Sequence, residues 1–166
     1  MSREPRTRTI TRLLSAAFVL TLGVAGAVGL ASSIQAQESE AEENAGMLAA
    51  RGRVTFRIYC ENCHGPNAEG DGTIADWLTV PPANLTTLTA NNDGEFPAER
   101  LMAVVDGRRS VAGHSRKGGR EMPIWGEIFR DPMSLSATNE NETPEERAER
   151  KIKELVAYLR TLQPVE

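Results

Sequence analysis

Three stretches of the chain have apolar residues at helical spacing, and they predict its main helices. The first stretch, residues 47–60, starts a stripe of apolar side chains that continues to Cys63. The stripe consists of Leu48, Gly52, Phe56, Tyr59 and Cys63. A spacing of three or four residues indicates one buried helical face. Gly65 and Pro66 follow this stripe, so we expect the helix to end there.

A second helix is predicted to begin at Pro97. Proline suits the first helical position because its fixed φ angle is helical and an N–H there would have no partner. Four apolar residues follow as the buried side of this helix: Leu101, Met102, Val104 and Val105. Gly107 is expected to end it.

The clearest helix signal lies near the C-terminus. Thr143 has the character of a helix N-cap, Pro144 occupies the first helical position, and Glu146 can complete a capping box with Thr143. Apolar residues then recur at helical spacing: Ile152, Leu155, Val156, Leu159 and Leu162. We therefore predict an amphipathic helix through these positions.

The rest of the chain is predicted to be mostly loop. Residues 65–96 are interrupted by glycine, proline and asparagine, with one short helical turn expected around Ile74–Leu78, and residues 108–143 lack periodicity. No stretch alternates apolar and polar residues for long enough to predict a strand. We expect a small all-α domain with long loops, and such loops need something to fold around.

The N-terminal 36 residues contain the same succession of segments as a secretory signal peptide. Arginines precede an uncharged apolar stretch, residues 13–31, and small residues then lead to Ala36 and an acidic segment. Cleavage after Ala36 is expected to leave the protein in the periplasm. The alternative is retention as an inner-membrane anchor, because 19 residues are just long enough to span a bilayer. Residues 37–45 are predicted to be a flexible acidic linker, and residues 46–163 the folded domain.

Composition narrows the possible functions. Residues 37–166 carry 15 basic and 22 acidic side chains, a net charge of −7. This argues against a nucleic-acid-binding protein, which needs a basic face to neutralise phosphates. Aromatic residues make up only 5% of the chain, which is few for a domain that must bury a full core. A large apolar cofactor would supply the missing buried surface.

Both cysteines of the chain belong to one CxxCH motif, Cys60-Glu61-Asn62-Cys63-His64. This motif is the signature of c-type haem attachment. Its spacing lets two thiols reach the vinyl groups on one porphyrin edge, and the adjacent imidazole can then bind the iron. Cys60 and Cys63 are thus predicted to hold one covalent haem c, with His64 as the proximal iron ligand. A thioredoxin-like pair would need a βαβ context, and a zinc site would need more cysteines or histidines.

The distal iron ligand is predicted to be Met122. Pro123 forces an extended backbone at Met122, and Gly126 permits a sharp turn shortly afterwards. A loop held in this way can present a thioether to the iron with little entropy left to lose. The alternatives, all in poorer sequence contexts, are His114, Met47, Met102 and Met133.

From about Gly46 to Gln163 the chain resembles a class I cytochrome c of the bacterial monohaem kind. The resemblance rests on the CxxCH motif, on Met122-Pro123-x-x-Gly126, and on predicted helices at both ends. It implies an all-α fold with long loops wrapped around one covalent haem, in which the N- and C-terminal helices cross.

The resemblance also implies roles for individual residues. Gly52, Phe56 and Tyr158 match the family positions at the helix crossing. Pro81 or Pro82 resembles the family proline whose backbone carbonyl orients the proximal imidazole, although either could be an ordinary loop proline.

Residue chemistry adds two expectations for the surroundings of the haem. Trp125 is expected to pack on the haem edge, or else in the protein core. The arginines that could neutralise the haem propionates, or else remain solvated in loops, are Arg108, Arg109 and Arg120.

These expectations together predict an electron carrier rather than an enzyme. Iron bound by both His64 and Met122 has no open position for a substrate, and thioether ligation favours the reduced state. The expected partners are redox proteins: a membrane cytochrome complex, a terminal oxidase or a periplasmic dehydrogenase. One alternative is the electron-accepting subunit of such a dehydrogenase. Another is a haem enzyme or gas sensor with an open sixth iron position.

Overall fold

The computed structural model describes residues 37–109, 122–132 and 141–164. These ranges contain α-helices and short 3-10 helices, and they contain no β-strand. The α-helices are α1 (residues 37–59), α2 (Glu61–His64), α3 (Ala98–Val105), α4 (Trp125–Arg130) and α5 (Pro144–Thr161). The 3-10 helices are Ala75–Trp77 and Ala90–Asn92. The all-α prediction is therefore confirmed for the described residues.

The chain divides into two compact units, Met1–Asn44 and Ala45–Glu166. Residues 37–44 of the first unit are helical, and their side chains are exposed. The linker predicted for residues 37–45 is thus helical instead. Its glutamates and alanines are good helix formers, and the absence of large apolar residues prevents burial without preventing a helix. The predicted signal or anchor segment lies outside the described residues.

None of the helices in the described ranges combines the length and the apolar character that are needed to cross a membrane.

Helices α1 and α5 touch at Gly52. A Cβ atom at this position would overlap the backbone carbonyl of Glu154 and would lie 2.9 Å from the Cβ of Tyr158. One turn further along α1, the ring of Phe56 lies 5.4 Å from that of Tyr158. The contact implied by the resemblance between Gly52, Phe56 and Tyr158 is therefore present, and only glycine allows the two backbones to come this close.

Most of the apolar core lies along α5. Its buried face is formed by Ala148, Ile152, Leu155, Val156 and Leu159. This face contacts α3 and α4, whose most buried apolar residues are Val105 and Phe129. An aromatic cluster joins α1 to α4, with the Tyr59 ring 5.4 Å from Phe129 and 5.3 Å from Trp125.

Helix α4 was not expected from the sequence, which predicted loop throughout residues 108–143. Its apolar residues Trp125, Ile128 and Phe129 do have helical spacing. With only 6 residues, however, the helix is too short for its periodicity to be distinct. Its stability comes from burial, since Phe129 is fully buried.

The helix ends follow the predicted signals closely. At α5 the Thr143 hydroxyl accepts from the Glu146 N–H at 3.2 Å, and the Thr143 N–H donates to the Glu146 carboxylate at 2.9 Å, which confirms the capping box. Helix α3 begins one residue later than predicted, because Pro97 is its N-cap. Gly107 follows α3 with a φ of +85°, a value that stops the helix and favours glycine.

The acidic segment before and within α5 forms ion pairs. The Glu142 carboxylate accepts two hydrogen bonds from Arg150, at 2.7 and 2.8 Å. Arg150 also lies 3.3 Å from Glu154, a fully buried carboxylate that Arg51 of α1 approaches at 3.7 Å. These contacts neutralise Glu154 beneath the α1–α5 crossing.

Candidate functional site

The three residues of the CxxCH motif lie at the junction of α1 and α2. Cys60 is the N-cap of α2, and its carbonyl accepts from the N–H of Cys63 at 3.2 Å and of His64 at 2.9 Å. Cys60 and His64 are each only 8% exposed, and Cys63 is half-buried. Cys60 and His64 are thus buried within one helical turn of each other, and Cys63 lies between them in the sequence.

The loop after the motif folds back onto it. The Gly70 N–H donates to the His64 carbonyl at 2.8 Å, and the Gly72 N–H donates to the Cys63 carbonyl at 3.1 Å. A Cβ atom at Gly72 would overlap the backbone of Asn62 and Cys63. This close contact fixes the motif against the loop.

The His64 ring is oriented by a hydrogen bond. Its Nδ1 lies 3.0 Å from the carbonyl oxygen of Ala83. A carbonyl can only accept, so Nδ1 carries the proton and Nε2 keeps a free lone pair. This is the tautomer that a metal-binding imidazole with a backbone partner adopts.

The expectation that Pro81 or Pro82 supplies this carbonyl is therefore wrong. Pro82 instead directs its carbonyl towards Gly70, where an added Cβ would lie 2.5 Å from the oxygen. The Leu85 N–H donates to the Ala68 carbonyl at 2.7 Å. The contacts of Pro82 and Leu85, which flank Ala83 in the sequence, leave the Ala83 carbonyl facing His64. Sequence reasoning had no signal for this register, because it depends on the packing of two loops.

Gln163 ties the loop that carries Ala83 to the end of α5. Its side-chain amide donates to the Leu85 carbonyl at 2.9 Å, and its amide oxygen accepts from the Thr89 N–H at 3.0 Å. An isolated glutamine after a helix carries no pattern, so this role of Gln163 was not predictable from the sequence.

Burial changes the acid–base properties of the motif. It raises the pKa of the Cys60 thiol to about 12, with a smaller contribution from the neighbouring Cys63. Burial also lowers the pKa of His64, although the hydrogen bond to Ala83 opposes this. A thiol–disulfide exchange enzyme needs a cysteine whose pKa is lowered. The buried Cys60 thiol therefore argues against the thioredoxin-like alternative.

A cavity of about 320 Å³ lies beside the motif. Its walls come from α1, α2, the loop after Pro82, α3 and α5, together with Met122. The residues that line it are Phe56, Cys60, His64, Ala83, Leu85, Leu88, Asn91, Asn92, Pro97, Arg100, Leu101, Val104, Val105, Met122, Leu155 and Leu159.

 Two residues of the cavity wall, Leu155 and Leu159, lie on the buried face of α5. Such a volume and a mostly apolar wall are typical of a cofactor site.

The cavity brings together three of the four predicted haem-binding residues. Cys60, His64 and Met122 all line it, whereas the half-buried Cys63 lies next to His64 on α2 without lining it. Met122 precedes α4 and is partly buried. The turn predicted at Gly126 is absent, because Gly126 lies inside α4 and packs against Asp106.

The rival distal ligands have other positions. Met47 lies on α1 and is 47% exposed, and Met102 lines a separate cleft with Asp106 and Ile152. His114 and Met133 lie outside the described residues. Among the methionines that the structure describes, Met122 is the one on the cavity wall.

Where the structure describes them, the arginines and the tryptophan considered for the haem surroundings take the alternative positions, in exposed loops and in the core. Arg108 pairs with Asp106 at 2.6 Å, Arg109 lines a neighbouring surface cleft and not the cavity, and Arg120 lies outside the described residues. Trp125 packs on Tyr59 and Phe129 and does not line the cavity. The arginine on the cavity wall is Arg100, which sequence analysis did not single out.

Comparisons of this chain with protein-family models, with curated proteins and with solved structures gave no match. Within the described ranges, no three or more His, Cys, Asp or Glu side chains cluster in a way that could hold a metal ion.

Proposed function

We propose that this chain is a monohaem c-type cytochrome, similar to those of class I, that carries single electrons between redox partners in the periplasm. The observation that carries the proposal is the cavity whose wall holds Cys60, His64 and Met122. Met122 follows Cys60 by 62 positions in the sequence. All three residues nevertheless line one mostly apolar cavity beside the CxxCH motif.

The donor set and the walls of the cavity fit a haem. Cys60 and Cys63 supply the two thiols for covalent attachment, and His64 supplies an imidazole whose Nδ1 is occupied by the Ala83 carbonyl. Met122 supplies a soft thioether, and aliphatic residues from α3 and α5 would cover an apolar ring. The haem supplies an iron that alternates between two oxidation states.

The residues of the cavity suit electron transfer better than substrate chemistry. If His64 and Met122 both held the iron, no position would remain for a substrate or for oxygen. The thioether favours the reduced state. The apolar wall excludes water and so limits the rearrangement that accompanies each electron. The alternative of a haem enzyme or gas sensor requires an open sixth position, which Met122 would fill.

One observation favours the second candidate function, the electron-accepting subunit of a periplasmic dehydrogenase. Trp77 is 87% exposed, and Ile74 and Val80 beside it are also exposed. This segment is joined to the haem-attachment helix, since the Ile74 N–H donates to the Asn62 carbonyl at 3.1 Å. An exposed apolar patch is typical of a protein–protein interface, and a lasting complex would cover it.

The proposed function is tested by expressing the full chain together with a haem-attachment system. We expect a denaturing gel stained for haem to show one band, and the oxidised protein to show the near-infrared absorption of thioether-bound iron. The double variant Cys60→Ala with Cys63→Ala should lose the stained band because no thiol remains to attach the haem. A band of full intensity in the double variant would contradict the proposal.

A further inference from the structure

The haem cavity meets a second, more polar cleft at α3. This surface cleft has a volume of about 630 Å³, and its walls carry three arginines, Arg100, Arg109 and Arg160, and two glutamates, Glu95 and Glu99. Asn92, Pro97 and Arg100 line both the cleft and the haem cavity. Arg100 therefore lies where the apolar cavity gives way to a polar surface.

Arg100 differs from three arginines near the core that pair with carboxylates. Arg108 and Arg130 both pair with Asp106, and Arg150 pairs with Glu142. Among the described residues, Arg100 has no ion pair with an acidic side chain. Of the described residues that line the cavity, Arg100 is the only Lys, Arg, Asp or Glu. One cation without a carboxylate partner thus borders a mostly apolar site.

A haem is an apolar ring with two carboxylates. Thioether bonds to Cys60 and Cys63 would hold the vinyl-bearing side of the ring, so the two propionates would leave the cavity elsewhere. An apolar wall cannot solvate a carboxylate, and an ionised one needs a charged partner or water. Arginine is the side chain best suited to this task, because its planar guanidinium can donate two parallel hydrogen bonds to one carboxylate.

We propose that the guanidinium of Arg100 binds a haem propionate where the cavity opens to the surface, and so raises the midpoint potential of the iron. This inference rests on the proposed function, since it requires the haem. Asn91 and Asn92 also line the cavity. Their amide NH2 groups each donate one hydrogen bond, to Thr87 and to the Glu95 carbonyl, and each has a second hydrogen for a carboxylate. Among the described arginines, Arg100 therefore takes the role that the sequence suggested for Arg108 or Arg109.

Two measurable properties depend on this pairing. The positive charge of Arg100 stabilises the reduced iron, which has one positive charge fewer than the oxidised iron. The guanidinium also keeps the paired propionate ionised at neutral pH. Without the guanidinium, the propionate would take up a proton more readily. The reduced protein would take up this proton more readily than the oxidised protein. The midpoint potential would then vary with pH near neutrality.

The test compares full-length holoproteins of the wild type, Arg100→Gln, Arg100→Lys and Arg53→Gln. Arg53 is an exposed arginine of α1 that does not line the cavity, so its variant is a control for the loss of one positive charge. The midpoint potential of each protein is measured by redox titration of the haem absorbance from acidic to alkaline pH.

In Arg100→Gln we expect the equilibrium constant for reduction to fall by about two- to threefold at neutral pH. We also expect the midpoint potential of Arg100→Gln to vary with pH near neutrality. In Arg100→Lys, most of the wild-type potential should be recovered at neutral pH. If Arg100→Gln matches Arg53→Gln in potential and in pH dependence, the inference is overturned while the proposed function stands. A wild-type protein without covalent haem would overturn both. Should Arg100→Gln fail to give holoprotein, Arg100→Lys decides. Lysine loses its charge at alkaline pH and arginine does not, so the potential of Arg100→Lys should fall below that of the wild type there. Equal potentials of the two proteins over the whole pH range would overturn the inference.

Discussion

The hydrogen bond between His64 and Ala83 determines which nitrogen of the imidazole can bind a metal. It occupies Nδ1 at 3.0 Å and leaves Nε2 as the available donor. Burial acts in the same direction, because it lowers the pKa of His64 and so favours the neutral ring. At the scale of single residues, the site is thus prepared for a ligand on one side of the ring, and Met122 is the described residue that can complete it.

Replacing Met122 with alanine should lower the midpoint potential and open the sixth iron position to water or added ligands. The physical reason is the loss of a thioether that prefers reduced iron. We expect the equilibrium constant for reduction to fall at least tenfold, which is about 59 mV for one electron. Redox titration and the near-infrared spectrum measure both effects.

Met102→Ala is the matched control for this prediction, because Met102 lines a different cleft and should leave the near-infrared band in place. The prediction would be wrong if His114→Ala opened the iron and Met122→Ala did not. Two histidines would then bind the iron.

At the scale of helices, the α1–α5 crossing depends on the absence of a side chain at Gly52. The overlap that a Cβ would make is with backbone atoms of Glu154, and backbone cannot move aside as a flexible side chain can. The contact also places Phe56, a residue of the cavity wall, against Tyr158 of α5. The crossing therefore helps to shape the cavity.

Gly52→Ala should destabilise the protein by about 1–3 kcal/mol, the usual cost of overpacking a core. Gly46→Ala is its control on the same helix, because no atom lies within 4 Å of a Cβ at Gly46. Alanine has the higher helix propensity, so this control should be neutral or stabilising by up to about 1 kcal/mol. Denaturant unfolding followed by circular dichroism measures both. Equal effects of the two variants would show that helix propensity matters here and that close packing does not.

The start of α5 should be sensitive to acid. The hydrogen bonds from Arg150 hold the pKa of the Glu142 carboxyl below its usual range. A carboxyl whose folded-state pKa is lowered stabilises the fold above its unfolded pKa, and this stabilisation is lost as the pH falls through the folded pKa. Glu142→Gln should therefore lose less stability than the wild type on acidification.

Denaturant unfolding at neutral and at acidic pH measures this difference. Glu149→Gln is the control on the same helix, because Glu149 and its partner Lys153 are both exposed. It should lose as much stability as the wild type. An acid response of Glu142→Gln equal to that of the wild type would contradict the role of the Glu142–Arg150 pair.

At the scale of the whole molecule, two surface features bear on partner binding. Residues 37–166 have a net charge of −7, which can guide the protein towards a basic partner. The segment around Trp77, in contrast, is exposed and apolar. The first feature acts over a distance and is screened by salt, whereas the second acts only on contact.

We expect electron transfer to a redox partner to slow as ionic strength rises, because salt screens the attraction between an acidic protein and a basic partner. Stopped-flow oxidation rates over a series of salt concentrations test this. Rates that do not change with salt would rule out the electrostatic guidance. A large loss of rate in Trp77→Ser under those conditions would then assign the docking to the apolar segment.

The sequence alone determined the features that depend on neighbouring residues. The CxxCH motif, the capping box of α5 and the glycine that ends α3 are local signals, because each acts within a few residues of the backbone. The helical class of the described residues follows from apolar spacing in the same way. These predictions needed no knowledge of distant contacts, and the structure confirms the last three of these four features.

Only the tertiary structure decided the features that depend on contacts between distant segments. The Ala83 carbonyl faces His64 because two loops pack in one register. Helix α4 exists because Phe129 is buried, and Arg100 borders the cavity because α3 packs beside it. A spacing rule describes what a chain does over one or two helical turns. Which side chains meet across 20 or 60 residues is decided by burial and backbone packing, which become known only when the segments are brought together.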